Sequence, residues 1–531
     1  MISRIYYTLS SLKLRQILYL FKYRIFDAIF KPLRKTIYTR TPAKQIGGIV
    51  FNGLLDKEQS FDNYSFSFIN FHHKFENSAI NWNLREHGML WAYNLNYMDF
   101  INQSNIETET ALDLIHDFIE QLPANKIGVD PYPISLRGIN WIKFISKHNI
   151  SSNQIDSSLY AQYHILYKNI EYHLMGNHLL ENGFSLLFGA FYFNDKKLYK
   201  RGAQILLREL PEQILADGAH YELSPMYHQI VLERLLDTIN LFSNNKRFND
   251  QDVLLKHMIT YASKMLSWIN YITFKSGDIP LLNDSSPGIA PTTKQLIDYA
   301  NKLGIGDYLP DLSLNDCGYR KFSNDNYECI LDVGKIGPHY QPGHAHADTF
   351  NFVLNIGNTP FIVDPGISTY NPTDNRLKER STLFHNTVTV ANQNSSDVWS
   401  SFRVGRKAKV KIIEDNEATI KASHNGNKKN AGVIHTREWS FSPNSIKIND
   451  NLRGRRSTNG VARLYFSSNQ TLELQDGMIK SDNSSVLFIN ATSISLKDIE
   501  IPNGYNNFER TKYAEVTFEK NLTTIINLKN S

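Results

Sequence analysis

Cysteine and long apolar runs are the features that this 531-residue chain has least of. Its only two cysteines, Cys317 and Cys329, lack the paired spacing of a zinc finger, so they are either free thiols or one disulfide. The longest apolar run near the start, residues 17–21, is far too short to cross a bilayer. An apolar core followed by a small-residue cleavage site is also missing. These absences leave the cellular compartment open.

Glycine-rich nucleotide signatures are absent as well. Neither a GxGxxG sequence nor a phosphate-binding loop occurs, so we expect no nucleotide cofactor. Hydrophobic residues at 41% and charged residues at 21% are ordinary for a folded protein, which argues against extensive disorder. At this length we expect two or more domains. We expect no nucleic-acid partner, and the pattern predicts no oligomeric state.

Positive charge is concentrated at the start of the chain. Residues 1–44 contain ten Lys or Arg and one acidic residue, Asp27, although the whole chain has a net charge of only +5. The remaining sequence is therefore slightly acidic. A basic, aromatic-rich segment such as residues 12–30 can pack on the protein as an ordinary helix or lie on an anionic membrane surface. Packing is the favoured alternative, and peripheral membrane contact is the second.

Two kinds of periodicity divide the chain. From about residue 85 to 305, apolar residues recur at three- and four-residue spacing and predict repeated helical hairpins. After Gly306, short alternating segments separated by Asn, Asp, Gly and Ser predict an antiparallel β domain. The predicted strands are 329–333, 350–356, 387–391, 410–413 and 461–466. The predicted parts are a basic lead-in segment (1–84), a helical domain (85–310) and a β domain (311–531).

Two histidines stand two residues apart in the sequence GHAHAD, at positions 344 and 346. If this segment enters the strand-like run 349–356, both side chains point the same way and can converge on one ligand, substrate group or metal. Asp364 and His385 follow, in the sequences VDPG and FHNTV. The side chains of His346, Asp364 and His385 are compatible with zinc if another group completes the shell. Alternatively, Asp364 is a turn residue and His385 an ordinary strand start.

The helical half contains a first polar cluster in the sequence GNHLLENG at 176–183. Asn177 is suited to capping the start of a helix. His178 and Glu181 are three residues apart and can share one helical face. In the structural alternative, Asn177 only caps the helix, and His178 is a hydrogen-bonded polar residue at a domain boundary.

A second cluster, DGAHYELSPMYH at 217–228, looks like a loop that feeds a helix beginning near Met226. Tyr227 would then lie in the positive potential of the helix start, which favours phenolate character. The alternative makes Tyr221 and Tyr227 aromatic rim residues that are hydrogen-bonded to backbone.

Taken in order along the chain, these motifs resemble those of the heparinase II/III-like polysaccharide lyase superfamily, which includes heparin, heparan and alginate lyases. The resemblance implies an incomplete (α/α) toroid followed by an antiparallel β-sandwich, with the active site between them. It implies that Asn177 and His178 neutralise a substrate carboxylate, that Tyr227 is an acid/base and that His344 assists at the cleft. The segments that carry it are 176–178, 217–228, 343–348, 363–366 and 384–388.

The same resemblance implies a divalent metal, usually zinc, held by His346, Asp364 and His385. This metal would organise the β-domain side of the cleft. A cell-envelope or periplasmic location follows from the family, with the cytoplasm as the alternative because no cleavable signal is visible. A role in surface-polysaccharide production is compatible with either location.

The predicted activity is cleavage of an acidic, uronate-containing glycan by β-elimination. Tyr227 would supply the acid, or carry out both steps where the two positions lie on one face of the sugar; otherwise His344 or Tyr370 is the base. Tyr370 is included because it follows Asp364 in a predicted loop. Further candidate contacts to the substrate, chosen partly because the arginine fork suits carboxylate and sulfate, are Glu181, Tyr221, Arg376 and Arg380.

Two alternatives come from other classes of protein. A glycoside hydrolase on a helical toroid would use a pair of carboxylates from Asp217, Glu222, Asp278 and Asp284. A non-catalytic envelope protein would bind the glycan and leave its chain length unchanged. Ultraviolet absorbance of the product distinguishes the enzymes, because a lyase creates a conjugated double bond whereas a hydrolase adds water.

Overall fold

The computed structural model describes residues 2–26, 36–42, 48–76, 79–306, 316–340, 342–454 and 459–529. Helices dominate up to residue 302, and antiparallel sheets dominate from residue 319. The predicted order, a helical toroid followed by an antiparallel β domain, is confirmed. The predicted boundary at residues 310 and 311 lies outside the described ranges and stays a prediction.

The helices of the N-terminal half form hairpins. Their bounds are α1 (Ile2–Ser10), α2 (Leu14–Phe21), α3 (Met89–Tyr97), α4 (Thr108–Gln121), α5 (Pro131–Lys147), α6 (Asn153–Lys168), α7 (Gly176–Phe193), α8 (Lys196–Gln213), α9 (Pro225–Asn244), α10 (Gln251–Ile272) and α11 (Thr293–Lys302). A π-helical turn, Lys22–Phe26, follows α2, and a 3₁₀ turn, Asp99–Asn102, follows α3.

Helices α5, α7 and α9 form the inner wall of the toroid, because they are buried on almost every side. A helix that is apolar around its whole circumference belongs in the interior. Helices α6, α8 and α10 pack outside them as hairpin partners. Gly183 lets α7 and α8 approach closely, since a Cβ there would lie 2.6 Å from Leu206 Cδ1.

Strands β1–β3 form a small antiparallel sheet in the helical half, and the remaining strands build the β domain. The strands are β1 (Phe61–Asp62), β2 (Ser65–Phe68), β3 (Phe71–Lys74), β4 (Tyr319–Ser323), β5 (Tyr327–Asp332), β6 (Phe352–Ile356), β7 (Thr359–Ile362), β8 (Val388–Val390), β9 (Val398–Trp399), β10 (Arg403–Val404), β11 (Val410–Asp415), β12 (Thr419–His424), β13 (Val433–Ser442), β14 (Ser445–Gly454), β15 (Gly460–Tyr465), β16 (Glu473–Gln475), β17 (Met478–Lys480), β18 (Ser484–Ile489), β19 (Ser493–Pro502), β20 (Phe508–Phe518) and β21 (Asn521–Leu528). Two short helices, α12 (Asp374–Glu379) and α13 (Lys428–Ala431), and a 3₁₀ turn, Thr382–Phe384, interrupt them.

The β domain contains one eight-stranded and two four-stranded antiparallel sheets. Their strand orders are β11-β12-β13-β14-β21-β18-β17-β16, β19-β20-β15-β8 and β4-β5-β6-β7, and β9 and β10 form a separate hairpin. Strand β13 shows the expected alternation, because every second side chain from Val433 to Trp439 is buried.

Strand β5 joins the two domains because it is buried on both faces. Ile330 belongs to the core of the helical toroid, whereas its neighbours Cys329 and Leu331 belong to the core of the β domain. Successive strand side chains point to opposite faces, so one strand can seal both cores. The two cores therefore meet along this strand.

The N-terminal segment lies across both domains. Helix α1 contacts β10, and the Thr8 hydroxyl donates to the Val404 carbonyl. Helix α2 lies on the toroid, where Lys13 pairs with Glu212 and the Tyr19 ring contacts Tyr172 at 4.7 Å. The favoured prediction of a packed helix agrees with this arrangement. Among the described residues, the helices include none that is both long and apolar enough to span a membrane.

The structure corrects one detail of the β-domain prediction. The five predicted strands overlap β5, β6, β8, β11 and β15, but β6 begins only at Phe352. His344 and His346 therefore lie in an irregular loop before the strand, and their placement on a strand is wrong. Cys317 and Cys329 are both buried thiols that form no disulfide, which decides between the two alternatives for the cysteines.

Candidate active site

One buried carboxylate, that of Asp284, organises the histidine loop. His344 Nδ1 lies 2.9 Å from Asp284 Oδ2, and His346 Nε2 lies 2.8 Å from Asp284 Oδ1. Arg376 binds both oxygens of the same carboxylate, and its Nη2 is 2.7 Å from Oδ2. Burial alone would raise the pKa of Asp284, but Arg376 and the two imidazoles hold it well below its usual range. The two histidines converge on one group, but this group is a carboxylate of the protein itself, and their convergence on a ligand, substrate group or metal stays a prediction.

The charge of Asp284 fixes the tautomer of His344. An ionised carboxylate can only accept hydrogen bonds, so the hydrogen of the neutral imidazole sits on Nδ1. The lone pair is then on Nε2, which lies 4.0 Å from Glu222 Oε2. This is the arrangement of a general base that is oriented by a carboxylate.

Tyr227 lies against His344 at the start of α9. The two ring centroids are 3.9 Å apart, and the hydroxyls of Tyr227 and Tyr370 are 3.1 Å apart. Ser224 caps this helix, because its hydroxyl accepts from the Tyr227 N–H at 3.2 Å. Arg376 lies over the Tyr370 ring, 5.0 Å from its centroid. The phenol from the toroid therefore meets an imidazole and a second phenol from the β domain.

Asn177 is tied to this group through Glu222. Its amide Nδ2 donates to Glu222 Oε2 at 2.9 Å, and its main-chain N–H donates to Oε1 at 3.2 Å. Helix α7 begins at Gly176 with Met175 in the cap position, so the prediction that Asn177 is the cap is wrong. Asn177 lies inside the first turn, and its amide keeps a second hydrogen to donate.

His178 is held by Glu171. Its Nδ1 lies 3.0 Å from Glu171 Oε1, and its ring rests on Tyr132 with centroids 4.3 Å apart. Burial alone would lower the pKa of His178, but the Glu171 carboxylate outweighs burial and raises it above the usual value. His178 is therefore suited to carry positive charge where a substrate carboxylate would bind.

Four of the five groups that could meet a sugar keep solvent access, whereas Asn177 is only 2% exposed. His178, Tyr227, His344 and Tyr370 are all partly exposed, whereas the Glu222 and Asp284 that connect them are buried. Tyr97 and Tyr132, also partly exposed, lie beside them with ring centroids 5.9 Å apart. Aromatic faces of this kind suit the C–H faces of sugars.

Burial corrects the prediction about Tyr227. The helix start was expected to favour phenolate, but burial together with the nearby Tyr505 raises the pKa of the Tyr227 phenol well above 10. Desolvation disfavours the charged form and here outweighs the potential of the helix start. Tyr227 therefore holds its proton at neutral pH and is suited to be an acid.

The predicted sugar contacts from arginine are also corrected. The side chains of Arg376 and Arg380 have no exposed surface. Arg376 binds Asp284 and the Ser401 carbonyl, and Arg380 donates to the carbonyls of Ala345 and Ser400. Both hold the loops behind the site in place and do not face the cleft.

Glu181 and Tyr221 do not face the cleft either. Glu181 is fully buried, 3.6 Å from Arg234, and burial raises its pKa to about 7. Tyr221 is nearly buried, and its hydroxyl lies 3.0 Å from that of Tyr340. Their predicted contact with substrate is not supported by these positions.

The predicted metal ligands come from two carboxylate–histidine pairs. Asp364 Oδ2 lies 2.7 Å from His385 Nδ1, which parallels the pairing of Asp284 with His346. Within the described structure, His346 Nδ1 and His385 Nε2 are buried and have no hydrogen-bond partner. Their rings are 5.2 Å apart. Two imidazole nitrogens are thus available to bind a metal. Asp364 Oδ2 also accepts a hydrogen bond from Asn351, so it would have to give up a hydrogen bond before it could bind the metal as well.

In the described residues, a tighter group of potential ligand atoms lies elsewhere. His73, Glu86 and His87 place their ligand atoms within 4.8 Å of one another, outside every motif singled out in the sequence. His73 Nδ1 and His87 Nε2 are themselves 3.1 Å apart and hydrogen-bonded.

The residues that sequence reasoning missed are the connecting carboxylates. Asp284 and Glu222 appeared only as candidates for hydrolysis, and Glu171 was not considered. Asp284 lies 60 residues from His344 and 92 from Arg376, so no local pattern links them. The available signal was an acidic residue in the sequence LLNDSS between helical segments.

These carboxylates argue against the hydrolase alternative. Asp217 accepts the main-chain N–H groups of Asp316 and Cys317, and Asp278 lies in an exposed turn. The pKa of Glu222 and of Asp284 is lowered even though burial opposes this, because imidazoles surround Glu222 and Arg376 faces Asp284. A glycosidase needs a carboxylic acid with a raised pKa, which neither Glu222 nor Asp284 supplies.

The fold and the site define the class of protein. A helical toroid and an antiparallel β domain meet at a cleft where tyrosine, histidine and asparagine side chains converge. The Heparinase II/III N-terminus model matches residues 134–303, and the Heparinase II/III-like, C-terminal model matches residues 309–527. The chain belongs to the heparinase II/III-like family.

Two curated relatives are similar over part of the chain. The heparin-sulfate lyase of Pedobacter heparinus is 26% identical over 255 residues, which cover 43% of this chain and 38% of the relative. The heparin-sulfate lyase of Bacteroides stercoris is 26% identical over 248 residues, covering 42% and 37%. The chain thus spans about two fifths of the length of these relatives.

Solved structures share the fold over most of the chain. A crystal structure of heparinase III has a TM-score of 0.65 at 15% identity, covering 97% of this chain and 91% of that one. A heparan sulfate lyase from Pedobacter heparinus has a TM-score of 0.55 at 18% identity, covering 88% and 82%. A chondroitin AC lyase from Streptomyces coelicolor has a TM-score of 0.52 at 8% identity, covering 84% and 75%.

Proposed function

We propose that this protein is a polysaccharide lyase that cleaves a uronic-acid-containing glycan by β-elimination. The observation that carries the proposal is the contact of Tyr227 with His344 and Tyr370, beside Asn177 and His178. These residues supply a proton donor, a base and two groups that can face an anion. The heparin-sulfate lyases that resemble this chain support the same class of reaction.

The first requirement is to neutralise the substrate carboxylate. The C5 proton of a uronate is adjacent to this carboxylate, whose charge opposes formation of a second negative charge. A cationic His178 and the second amide hydrogen of Asn177 would stabilise the enolate-like state as it forms. Because this stabilisation is larger in the transition state than in the ground state, it accelerates the step.

The second requirement is a base and an acid. His344 Nε2 removes the C5 proton, and the C–H electron pair forms the C4–C5 double bond. The bond from C4 to O4 breaks, and the Tyr227 hydroxyl protonates the departing oxygen. Tyr370, whose hydroxyl is 3.1 Å from that of Tyr227, can return a proton to it. Asp284 stabilises the imidazolium that forms on His344.

The test is incubation with a panel of acidic polysaccharides, including heparan sulfate, alginate and the producing cell's own, followed by product mass and ultraviolet absorbance. A lyase gives chains that end in an unsaturated sugar. Products that have gained water would establish a hydrolase instead. Saturable binding with unchanged chain length would establish a glycan-binding protein.

The metal is a part of the proposal with its own test. His346, Asp364 and His385 would hold a divalent ion, and zinc bound there would lock the two loops of the β-domain side together. Metal analysis of the purified protein and of His346→Ala measures this directly. We expect one zinc per chain and its loss in the variant, with a lower melting temperature. Equal metal content in both proteins would contradict the assignment of this metal site.

Peripheral contact with an anionic membrane is supported by α1, α2 and the π-helical turn that follows them. The exposed large apolar side chains there lie at helical spacing, and they are Ile5, Tyr6, Leu9, Leu14, Ile17, Leu18, Phe21 and Ile25. Residues 2–26 also contain five basic residues and no acidic one. A helix with an exposed apolar face among basic residues suits an anionic bilayer surface. The envelope and the cytoplasm both stay predicted locations.

Vesicle flotation tests this contact. Leu14→Glu/Leu18→Glu should abolish binding to anionic vesicles, because charge in the apolar face cannot enter the bilayer interface. Leu207→Glu, at an exposed leucine of α8, is the matched control and should bind normally. Flotation of the double variant at the wild-type level would contradict membrane contact, and loss of a dimer instead would indicate contact between copies.

A further inference from the structure

A large cavity opens on the helical half beside the candidate active site. Its volume is about 1260 Å³, and its described lining comes entirely from residues 19–201. Its lining comes mainly from the N-terminal segment, residues 123–131, α6 and the turn at 169–173. Ligand sites for small molecules typically occupy ~300–1000 Å³, so this cavity has room for several sugar units. We call it the basic cavity.

The charge of the basic cavity is unbalanced. Its lining includes one carboxylate, Asp130, and five permanent cations: Lys22, Arg40, Lys126, Lys168 and Arg201. Across the described parts of the chain, none of these five makes an ion pair with a carboxylate, although Lys13, Lys57 and Lys143 in the same half of the chain all do. Several cations that converge on a concave surface attract anions.

Aromatic rings alternate with the cations. The lining includes Tyr19, Tyr23, Tyr38, Tyr167 and Tyr172. Lys22 lies over Tyr19 and Tyr23, with Nζ 5.5 Å and 5.0 Å from the two ring centroids. A simple anion such as phosphate needs only the charges. Rings that present flat apolar faces between charges fit a ligand with both C–H faces and anionic groups, which is the chemistry of an acidic sugar chain.

The basic cavity shares a wall with the candidate active site. Ile170, Tyr172 and His173 line the cavity. Glu171, between them in the chain, points the other way, where it binds His178 at 3.0 Å and Asn182 at 2.9 Å. A sugar chain in the cavity would therefore lie one turn of backbone from the histidine that faces the reacting carboxylate.

We propose that the basic cavity binds a segment of an acidic polysaccharide away from the bond that is cleaved. The segment would hold a long chain on the enzyme while another unit occupies the cleft. The link to turnover rests on the proposed lyase function, whereas binding to the cavity does not.

The test compares two charge-reversal variants of the full-length protein. Lys126→Glu/Lys168→Glu changes two exposed cations of the basic cavity, and Lys256→Glu/Lys409→Glu makes the same change at exposed lysines elsewhere. Labelled heparan sulfate and alginate chains serve as probes, with dextran as the neutral polymer and inorganic phosphate as the simple anion. Affinity is measured by titration at fixed ionic strength, because salt screens such contacts.

We expect the cavity variant to bind at least one acidic polymer ~10-fold more weakly or worse, since two charges are reversed at one site. The control variant should bind like the wild type, and dextran should not bind. Equal affinity in all three proteins, equal loss in both variants, or no binding of either polymer would overturn the proposal. If inorganic phosphate competes with the same strength as the polymers, the cavity is a general anion site, and this result would also overturn the proposal.

Turnover separates this proposal from the lyase function. On a substrate that is cleaved, the cavity variant should show a raised KM for long chains and an unchanged kcat. Tetrasaccharides that occupy only the cleft should react at the wild-type rate. If no polysaccharide is cleaved but the affinity difference persists, the lyase function fails and the binding site stands. If a polysaccharide is cleaved but the wild type and the cavity variant bind it equally, the lyase function stands and the binding site fails.

Discussion

The two sides of the cleft hold their functional groups in different ways. On the toroid side, Asn177 and Tyr227 lie in the first turns of α7 and α9, and local backbone geometry positions them. On the β-domain side, His344 and Tyr370 lie in loops that are held by the buried pair of Asp284 and Arg376. Helix starts thus place Asn177 and Tyr227 on the toroid side, where Glu222 also holds the Asn177 amide, whereas a buried ion pair holds the loops of the β-domain side.

The largest expected effect comes from the group that joins the two sides. Tyr227→Phe should lower turnover ~10²- to 10⁴-fold, because it removes a general acid and leaves the ring in place. Tyr513→Phe, at a half-buried tyrosine of the β domain, is the control and should retain full activity. Rates from product absorbance, with circular dichroism for the fold, measure this. Wild-type activity in Tyr227→Phe would remove the acid assignment.

Breaking the buried ion pair should mainly damage the β-domain side. Arg376→Met leaves the Asp284 charge uncompensated in the interior and should reduce the free energy of unfolding by ~3–5 kcal/mol. Arg510→Met removes an exposed pair with Glu500 and should change it by less than ~1 kcal/mol. Urea unfolding measures both. Equal effects would show that buried charge does not organise this side.

The charge of His178 should make substrate affinity depend on pH. The pKa of His178 is raised in the folded protein, so the imidazole is cationic below this pKa, and the attraction for a carboxylate is lost as pH rises through it. Affinity for an acidic tetrasaccharide should therefore fall with rising pH above 6.5. In His178→Gln this pH dependence should disappear. An identical pH profile in the two proteins would remove the neutralising role of His178.

The smallest effect should come from a helix cap. Ser224→Ala removes the cap beside Tyr227 and should cost about 1 kcal/mol of stability, with an added loss of kcat because the phenol shifts. Ser152→Ala removes the cap of α6 and should cost a similar amount without changing kcat. Thermal unfolding and initial rates separate the two. Equal kcat in both variants would show that the cap does not position Tyr227.

The same contrast explains how much the sequence predicted. Helical and alternating periodicities predicted the order of the two domains, because each depends on residues that are close in sequence. The start of α9 beside Met226 was predicted within one residue, since Ser224 and Pro225 are local signals. The helix cap at Asn177 was wrong because Met175 adopts a left-handed φ of 59° and starts the helix earlier.

Contacts between residues far apart in the sequence are the part of the site that local patterns could not predict. Arg376 and Arg380 carry charge in a loop, and a surface role is the ordinary expectation for arginine. Their burial follows from Asp284 and from carbonyl groups of distant loops, which no local pattern shows. The two histidines were predicted to converge, and they do so on Asp284 without the strand that was expected to align them.

Deuterium incorporation at C5 tests the division of roles most directly. An acidic polysaccharide is incubated in heavy water with Tyr227→Phe or with His344→Gln, and the recovered chains are analysed by mass spectrometry. If His344 is the base and Tyr227 the acid, Tyr227→Phe leaves chains uncleaved but deuterated at C5, and His344→Gln leaves them unlabelled. Deuteration by His344→Gln and none by Tyr227→Phe would contradict the account.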